Sequence, residues 1–321
     1  MSATKSVVIV SAVLLAGMHV TVVAQGDSGN LTAKMEAVNV TLEAQGRDYR
    51  LACIELYTTG WGQPENRILK SGSHWVAYDP LRYAVADQLI YLVVKSNHQL
   101  TGKSLGETAS GLSSDETEGA IDSAMMTWNG RKSLEKVGIW KTSPHPLIAD
   151  YTIFDEYEPW AAYDNDPDPG FPFWADIVHG GWYPREFFEC FGPGGGDGIL
   201  GVSVTFVWVD TATGEPVDTN GDEYLDTALV EIYYNDYFGE VGGVREGNPW
   251  DINIELPAID VGTVALHESG HALGLGHFGP PPTALMNPYY AGICQQPLAV
   301  DDAGMSALWR SWPNHPSDYA E

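Results

Sequence analysis

The spacing of apolar residues along the chain predicts strands separated by polar turns. Apolar and polar positions alternate from Ile199 to Val209, which is the pattern of a strand buried on one face. Residues 159 to 198 contain many Pro, Gly, Asp and Trp residues and predict a long loop, of a kind that is usually functional or held by a ligand. Runs rich in β-branched and aromatic residues predict further strands at Tyr49 to Thr58, Leu81 to Val94, Tyr151 to Phe154 and Ala228 to Tyr234.

Helical spacing occurs in three places. Ser113 and Glu116 form a capping box, and apolar residues recur at intervals of three and four in the segment that follows. A second helix begins near Asp260, a good N-cap residue, and continues through His271. A third helix covers residues 301–309. A chain of 321 residues with these elements can bury one sizeable core and carry a small additional region.

The second helix contains a cluster of histidines with the spacing of a metal site. From His267 the chain reads His-Glu-Ser-Gly-His-Ala-Leu-Gly-Leu-Gly-His. A helix places His267 and His271 on one face, where both imidazoles can bind one ion. Gly274 can adopt a positive φ at the helix end and turn the chain, so that His277 returns beneath the same ion. Glu268 lies about 100° around the helix axis from His267, beside the ion rather than on it.

This arrangement predicts hydrolytic chemistry. Three neutral imidazoles leave a fourth coordination position of a zinc ion open, which is typical of a catalytic site rather than a structural one. Zinc polarises a carbonyl and lowers the pKa of its water from about 15.7 toward 7. Glu268 is placed to act as the general base that takes the proton from this water, and then to protonate the departing amine. The alternative is a helix that carries surface histidines.

The same segment resembles the metzincin metalloproteases, whose pattern is His-Glu-x-x-His-x-x-Gly-x-x-His followed by a methionine turn. Residues 284–290 read Ala-Leu-Met-Asn-Pro-Tyr-Tyr, which looks like the matrixin version of that turn. The resemblance implies that Met286 forms an apolar floor under the zinc. It also implies that Pro288 and Tyr290 line the pocket for the substrate side chain after the scissile bond. The protein is thus expected to be an endopeptidase.

The resemblance also implies a fold and an activation scheme. The expected fold class is α+β: a twisted, mostly parallel sheet with an antiparallel edge strand, packed on the active-site helix, and a C-terminal helix. Residues 199–202 resemble the edge strand, which would bind a peptide by strand addition. Asp301 and Asp302 resemble the acidic pair that anchors the methionine turn and the mature N-terminus. Residues 113–128 are similar to the first matrixin helix.

Three departures from the matrixin pattern change what is expected. Phe278 follows the third histidine, where matrixins usually carry serine. The latency motif Pro-Arg-Cys-Gly-x-Pro-Asp is absent, and Cys53 in an Ala-Cys-Ile context is a poor substitute for it. His179 is the only histidine in the middle of the domain, where the family's structural zinc needs several. One catalytic zinc is therefore expected, and His179 is expected to be an ordinary surface or hydrogen-bonded histidine.

An acidic turn between two predicted strands has part of the pattern of a calcium loop. Side-chain oxygens occupy positions 1, 3, 5 and 9, and a carbonyl is available at position 7. Glu223 stands where such loops usually have glycine, and Leu229 stands where they have glutamate. Calcium and an Asx-rich turn therefore remain open alternatives. The candidate ligands are Asp218, Asn220, Asp222, Tyr224 and Asp226.

The charge of the chain limits its partners. The formal net charge is −27, from 43 acidic and 16 basic residues. Such a surface repels nucleic acid phosphates and anionic lipids, so a protein or peptide substrate is the expected partner. No nucleic acid and no membrane contact beyond export are expected, and the oligomeric state is open.

The N-terminus resembles an export signal. Lys5 precedes a largely apolar run, Val7 to Val23, and small residues up to Ala24 suit a cleavage site. The alternative, a membrane anchor, would need a longer uninterrupted run. A secreted protein with three cysteines can form one disulfide, and the sequence leaves the pairing open, with a preference for Cys190 with Cys294.

The expected organisation follows from these segments. Residues 1–24 are a signal peptide, residues 25–75 a pro-segment or accessory region, residues 76–313 a matrixin-like catalytic domain, and residues 314–321 a tail. The predicted function is that of a secreted zinc endopeptidase. Two alternatives remain: a zinc hydrolase of a non-peptide substrate, and a calcium-stabilised binding protein without catalysis, which would not need Glu268.

Overall fold

A computed structural model of the chain describes residues 49–58, 72–79, 82, 86–95, 106–142, 175–189, 195–210, 213, 217–239, 249–253, 258–279 and 281–315. The expected export signal, the strand expected at Tyr151 to Phe154, Cys190 and most of the expected tail lie outside these residues. None of the helices within them combines the length and the hydropathy that crossing a membrane requires.

A seven-stranded sheet lies at the centre of the described structure. The strands pair in the order β1, β6, β7, β5, β3 and β4, and β2 pairs with the start of β7. The β1–β6 and β6–β7 pairs are antiparallel, and the other four pairs are parallel. The strands are β1 (Tyr49–Thr58), β2 (Ser73–His74), β3 (Leu89–Val93), β4 (Ile139–Lys141), β5 (Ile177–Tyr183), β6 (Gly201–Asp210) and β7 (Leu225–Asn235). An α+β fold with a mostly parallel sheet and an antiparallel edge strand is confirmed.

The helices that the structure describes are α1 (Ser114–Asn129), α2 (Arg185–Glu189), α3 (Gly195–Gly198), α4 (Val261–Ala272) and α5 (Ala299–Trp309). Among these helices, α4 packs against β6 and β7 of this sheet, and α1 packs on α4. Two further short strands, β8 (Trp250–Asp251) and β9 (Ile259–Asp260), form a parallel pair that leads into α4.

Helix α1 begins at the predicted capping box. The Ser113 hydroxyl accepts a hydrogen bond from the backbone N–H of Glu116 at 3.3 Å, and the Glu116 carboxylate accepts one from the backbone N–H of Ser113 at 2.8 Å. These bonds satisfy two donors at the helix start, and they fix where the chain turns into the helix. The apolar face of α1 packs on α4, and the indole of Trp128 donates to the carbonyl of Leu266 at 2.8 Å.

Helix α4 is buried along nearly its whole length because it lies between the sheet and α1. The last carbonyls of a helix have no partner within the helix, so a buried helix end needs donors from elsewhere. Two tryptophan indoles supply them. Trp75 donates to the carbonyl of Ala272 at 2.8 Å, and Trp309 donates to that of Leu273 at 3.0 Å.

The expected edge strand is not at the edge of the sheet. Strand β6, which contains the end of the predicted segment 199–202, lies between β7 and β1. Strand β1 pairs with it along its length, from Tyr49 opposite Asp210 to Thr58 opposite Val202. The expectation was wrong because the alternation of apolar residues marks a strand, whereas which strand covers its outer side is decided by a segment far away in the sequence.

The long loop expected at residues 159–198 contains regular structure in its second half. Strand β5 and helices α2 and α3 lie there, so the loop prediction was wrong for these residues. The loop was predicted partly from the glycines of this segment, two of which lie in β5. Gly181 has a φ of 109° at a bulge in β5, and a Cβ on Gly180 would lie 2.4 Å from the ring of Tyr233. These glycines are therefore required by a strand rather than by a loop. The strand expected at Leu81 to Val94 is shorter and covers Leu89–Val93.

Candidate metal centre

The helix that carries the first two histidines is fixed at its N-terminus by Asp260. The side chain of Asp260 accepts a hydrogen bond from the backbone N–H of Thr263 at 2.8 Å and one from the Thr263 hydroxyl at 2.5 Å. The resulting cap orients α4, and its last turns bring His267, Glu268 and His271 into the interior with no more than 4% of each residue exposed.

Gly274 turns the chain after the helix. Its φ is +92°, in the left-handed region that glycine adopts without strain, and its N–H donates to the carbonyl of His271 at 2.8 Å. The chain then reverses and carries His277 back toward the helix. A residue with a Cβ at this position would cost roughly 1–2 kcal/mol in backbone strain.

The structure brings the three histidines together around one point. The Nε2 atoms of His267 and His271 are 3.1 Å apart, those of His271 and His277 are 3.2 Å apart, and those of His267 and His277 are 3.3 Å apart. In the part of the chain that the structure describes, these residues form the one group of three or more metal-ligating side chains close enough to share an ion.

The hydrogen bonds on the other ring nitrogens fix the tautomers of two of these rings. Nδ1 of His267 is 2.8 Å from the carbonyl oxygen of Leu285, and Nδ1 of His271 is 2.7 Å from that of Leu275. A carbonyl oxygen only accepts, so each Nδ1 carries the proton and each Nε2 presents a lone pair. The close contact between Nε2 of His267 and Nε2 of His271 is therefore not a hydrogen bond.

Burial keeps the three imidazoles neutral. It lowers the pKa of His267 to about 4 and that of His277 to about 3. It also lowers the pKa of His271 well below the ordinary value, and the two neighbouring histidines add to that effect. At neutral pH all three rings are available as uncharged ligands.

These residues fit a zinc ion. A tetrahedral site with Zn–N distances of about 2.0–2.1 Å has ligand atoms about 3.3 Å apart. The observed Nε2 separations agree with that spacing, and converging lone pairs repel one another unless a cation lies between them. The carbonyl groups of Leu285 and Leu275 act as outer partners that orient the rings.

Glu268 directly follows the first histidine on α4, and one of its two carboxylate oxygens is hydrogen-bonded. Oε2 accepts a hydrogen bond from the Ser203 hydroxyl at 2.8 Å, whereas Oε1 is buried and has no hydrogen-bond partner. Burial raises the pKa of Glu268 to about 8, and the bond from Ser203 opposes that rise. Ser203 was not among the residues found from the sequence, because its 65-residue separation from Glu268 leaves no local signal.

The methionine turn packs directly beneath α4. Met286 is 1% exposed, and a Cβ on Gly270 would lie 2.5 Å from its sulfur atom. The carbonyl of Met286 accepts a hydrogen bond from the backbone N–H of Phe278 at 2.7 Å, which joins the turn to the residue after the third histidine. Glycine at position 270 therefore allows the sulfur to reach the helix backbone below the histidines.

The two acidic residues of α5 have different partners. Asp301 is buried and accepts hydrogen bonds from the backbone N–H groups of Leu285 at 2.9 Å and Met286 at 3.1 Å, so it holds the methionine turn. Asp302 instead pairs with the guanidinium of Arg131. The expectation that this pair also anchors a mature N-terminus stays a prediction.

The residues expected to line the substrate pocket follow the turn. Pro288 is buried, and Tyr290 is partly buried with its hydroxyl accepting a hydrogen bond from the backbone N–H of Asp260 at 2.9 Å. Tyr290 therefore ties this segment to the start of α4. Its contact with substrate stays a prediction.

The candidate calcium loop is folded by its own hydrogen bonds. Asp218 accepts from the backbone N–H groups of Gly221 at 2.7 Å, Asp222 at 3.1 Å and Glu223 at 3.0 Å. The side chains of Asn220 and Asp222 are bonded within the loop and to Asn314, and Asp222 Oδ1 accepts from the backbone N–H of Tyr224. This is the Asx-rich turn that was the alternative, and calcium stays a prediction.

One carboxylate of that loop is buried and incompletely bonded. Asp226 is 1% exposed, and its Oδ1 has no hydrogen-bond partner while Oδ2 accepts from the backbone N–H of Thr219 at 3.0 Å. Burial raises its pKa to about 8, and the nearby carboxylates of Asp79 and Asp218 add to the rise.

His179 is fully buried, and its Nδ1 lies 2.8 Å from the hydroxyl of Tyr234, so of its two expected roles the structure shows the hydrogen-bonded one. The expected disulfide needs correction. Cys294 is a free thiol, so the preferred pairing with Cys190 is not formed. The Cys294 thiol instead donates to the carbonyl of Gln296 at 3.3 Å.

Converging neutral imidazoles, an adjacent buried carboxylate and a methionine turn beneath them, on a mostly parallel sheet, define a metal-dependent protease of the metzincin class. Comparison with known families adds the finer assignment. The model of the matrixin family of peptidases matches residues 140–310, which is slightly more than half of the chain. The chain belongs to the matrixin family, and at the level of that family it is a zinc metalloprotease.

Proposed function

We propose that this protein is a secreted endopeptidase that hydrolyses peptide bonds with Glu268 as its general base. The observation that carries the proposal is the pairing of three converging imidazole lone pairs with a carboxylate whose Oε1 is buried and has no hydrogen-bond partner. A helix with surface histidines would bury neither. A binding protein without catalysis would not require the buried carboxylate of Glu268.

Each residue has a defined part in this chemistry. His267, His271 and His277 would hold the zinc ion, which when bound would polarise the scissile carbonyl and acidify a water molecule. Glu268 accepts the proton of the attacking water on Oε1, and it then donates that proton to the departing amine. Met286 supplies a rigid apolar support beneath the histidines.

We infer that substrate lies along the outer edge of β6 and against the wall formed by Pro288 and Tyr290. Val202 is flanked by Gly201 and Ser203, and both of these neighbours approach the side chain of Glu268. An extended peptide that adds to this edge of β6 would thus pass the general base.

In the described structure this edge is already paired with β1. The two strands are antiparallel, and the last residue of β1, Thr58, lies opposite Val202. The N-terminal strand therefore covers the proposed substrate edge up to the point where Glu268 is contacted. A substrate cannot form the same backbone hydrogen bonds while β1 holds them.

We infer from this pairing that the part of residues 25–75 that contains β1 is an inhibitory pro-segment rather than an accessory layer. Its end would lie before β2, because Ser73–His74 pairs with β7 and the buried Trp75 donates to the carbonyl of Ala272 in α4. Residues 1–24 would direct export and be removed, the catalytic domain expected at residues 76–313 would also include β2 and Trp75, and residues 314–321 would form a tail. The latency motif with its cysteine is absent, so inhibition by strand pairing supplies what that motif does in other matrixins.

The proposed function is tested by cleavage of casein and of a short quenched peptide. Wild type and Glu268→Gln are compared, each with and without a chelator. The substitution keeps the shape of the side chain but removes its basicity, so we expect cleavage to fall by about 10²-fold or more while zinc content stays the same. Chelation should abolish wild-type cleavage.

The outcomes separate the proposal from its alternatives. Cleavage that survives Glu268→Gln would rule out the general-base role. If the protein hydrolyses simple esters but leaves casein uncut, a non-peptide hydrolase is favoured. If the zinc-loaded protein cleaves no substrate even after β1 has been removed, a non-catalytic binding protein is favoured.

A further inference from the structure

A buried serine bonds to the carboxylate that the proposed mechanism uses. Ser203 is 0% exposed, and its hydroxyl lies 2.8 Å from Oε2 and 3.0 Å from the backbone carbonyl oxygen of Glu268. A hydroxyl carries one proton, and the carboxylate oxygen is the nearer and the more strongly accepting of the two. In the part of the chain that the structure describes, no other residue is recorded as a hydrogen-bond partner of this carboxylate.

The hydrogen bond from Ser203 gives the two carboxylate oxygens of Glu268 different surroundings. Oε2 is held by Ser203, whereas Oε1 is left buried without a partner. A glutamate side chain has three rotatable bonds, so an unheld carboxylate would sample several positions. Ser203 is carried on β6 and lies opposite Ile232 of β7, so the pairing with β7 fixes the backbone of the donor whether or not β1 is in place.

The strand is shaped to allow this contact. Gly201, two residues before Ser203, faces the same side chain, and a Cβ there would lie 3.1 Å from both Cγ and Oε1 of Glu268. The absence of a Cβ at Gly201 leaves space for the side chain of Glu268, and the hydroxyl of Ser203 holds its Oε2.

We propose that Ser203 is a positioning residue that holds Oε2 of Glu268, so that Oε1 faces the attacking water and receives its proton. This inference rests on the proposed general-base role of Glu268. Ser203 touches neither substrate nor metal in this scheme, and it acts only through the glutamate. A misplaced base lowers the rate of the proton-transfer step without weakening substrate binding.

The test compares Ser203→Ala with a matched control on the same strand. Thr205 lies two residues further along β6, is 3% exposed and has a hydroxyl without a hydrogen-bond partner, so Thr205→Val removes a buried hydroxyl that is not hydrogen-bonded to Glu268. We expect Ser203→Ala to lower kcat about tenfold with KM within about twofold of wild type. Thr205→Val should leave both constants within about twofold of wild type. Both variants should keep one zinc per chain.

A double substitution distinguishes positioning from a structural role. In a Glu268→Gln background the serine has no base to position, so adding Ser203→Ala should reduce the residual rate by less than about twofold. An equal tenfold loss in both backgrounds would overturn the proposal, as would a Ser203→Ala variant with wild-type kcat. A Glu268→Gln variant that retains full activity would instead overturn the proposed function, so the two failures are distinguishable.

Discussion

At the scale of single residues, the parts of the centre that lie close in sequence were predictable and the parts that lie far apart were not. His267, His271 and His277 fall within eleven residues, and helix geometry with one glycine turn is enough to bring them together. Ser203 was missed for a physical reason. The alternation in its strand indicated a polar face in solvent, but that face is buried against α4 and its hydroxyl is bonded to Glu268.

Gly270 gives a prediction about packing beneath the centre. A Cβ at this position would lie 2.5 Å from the sulfur of Met286, so Gly270→Ala forces the methionine turn away from α4. We expect a loss of about 1–3 kcal/mol in the free energy of unfolding, measured by denaturant titration, together with weaker zinc binding.

Gly119 is the matched control for this substitution. It is an exposed glycine within α1, and a Cβ there would meet nothing within 4 Å. Gly119→Ala should stabilise the protein by about 0.5–1 kcal/mol, since alanine favours the helix. If both substitutions stabilise the protein, the close packing of Met286 on α4 is wrong.

Asp226 gives a prediction about pH. Its pKa is raised from 3.8 to about 8 by burial and by neighbouring carboxylates, so the folded chain binds a proton there that the unfolded chain releases. The contribution of this group therefore makes the free energy of unfolding fall as pH rises from about 4 to about 8. Asp226→Asn is neutral throughout and keeps an acceptor for Thr219. We expect it to be more stable than wild type at pH 8 in the absence of calcium, as measured by thermal unfolding.

Calcium provides the second arm of that experiment. A cation bound at the loop would offset the cost of charging Asp226, so added calcium should raise the melting temperature of wild type at pH 8 and leave that of Asp226→Asn nearly unchanged. Equal melting temperatures of wild type with and without calcium would contradict the calcium prediction. A variant less stable than wild type without calcium would contradict the raised pKa.

At the scale of elements, helices were predicted better than the pairing of strands. The starts of α1 and α4 carry local signals, a capping box and an aspartate N-cap, and both helices begin where those residues predict. Strand β6 was found as a strand, but its place inside the sheet depends on β1, which is more than 140 residues earlier. Backbone pairing between distant segments leaves little trace in a single sequence.

Strand β1 gives a prediction about inhibition. Proline has no N–H to donate, and N–H groups alternate sides along a strand, so one of two adjacent prolines must remove a bond to β6. We expect Glu55→Pro with Leu56→Pro to raise the rate of peptide cleavage about tenfold or more, because the open edge becomes more populated. A synthetic peptide with the sequence of residues 49–58 should then inhibit this variant.

The controls separate release of the edge from damage to the fold. The circular dichroism spectrum and zinc content of the double variant should match those of wild type, since β1 is an edge strand and the three converging imidazoles belong to α4 and the turn that follows it. An intact variant with unchanged activity would show that β1 does not block substrate, and residues 25–75 would then be an accessory region.

At the scale of the whole molecule, one helix connects the core to the centre. Helix α4 receives indole donors from Trp75, Trp128 and Trp309, which come from three separate segments of the chain. Folding of these segments therefore places the first two histidines before any metal is bound. The remaining ligand, His277, depends on the turn at Gly274 and on its link to Met286 through Phe278.

This organisation predicts the response of the molecule to zinc. Because the histidines are held in the core, zinc should bind only the folded state and stabilise the whole domain. At a free zinc concentration 100 times Kd, the free energy of unfolding should rise by about 2.7 kcal/mol. For a domain of this size the melting temperature should then rise by roughly 5–10 °C on adding zinc to the chelated protein.

The place of His179 in the core predicts the number of zinc ions that the protein binds. His179 is buried in the sheet with its Nδ1 bonded to the hydroxyl of Tyr234, and it belongs to no group of metal-ligating side chains among the described residues. Elemental analysis should therefore give one tightly held zinc per chain in wild type and in His179→Phe, and none in His271→Ala. Two zinc ions per chain in wild type, with one lost in His179→Phe, would establish a second centre and would require ligands from parts of the chain outside those described.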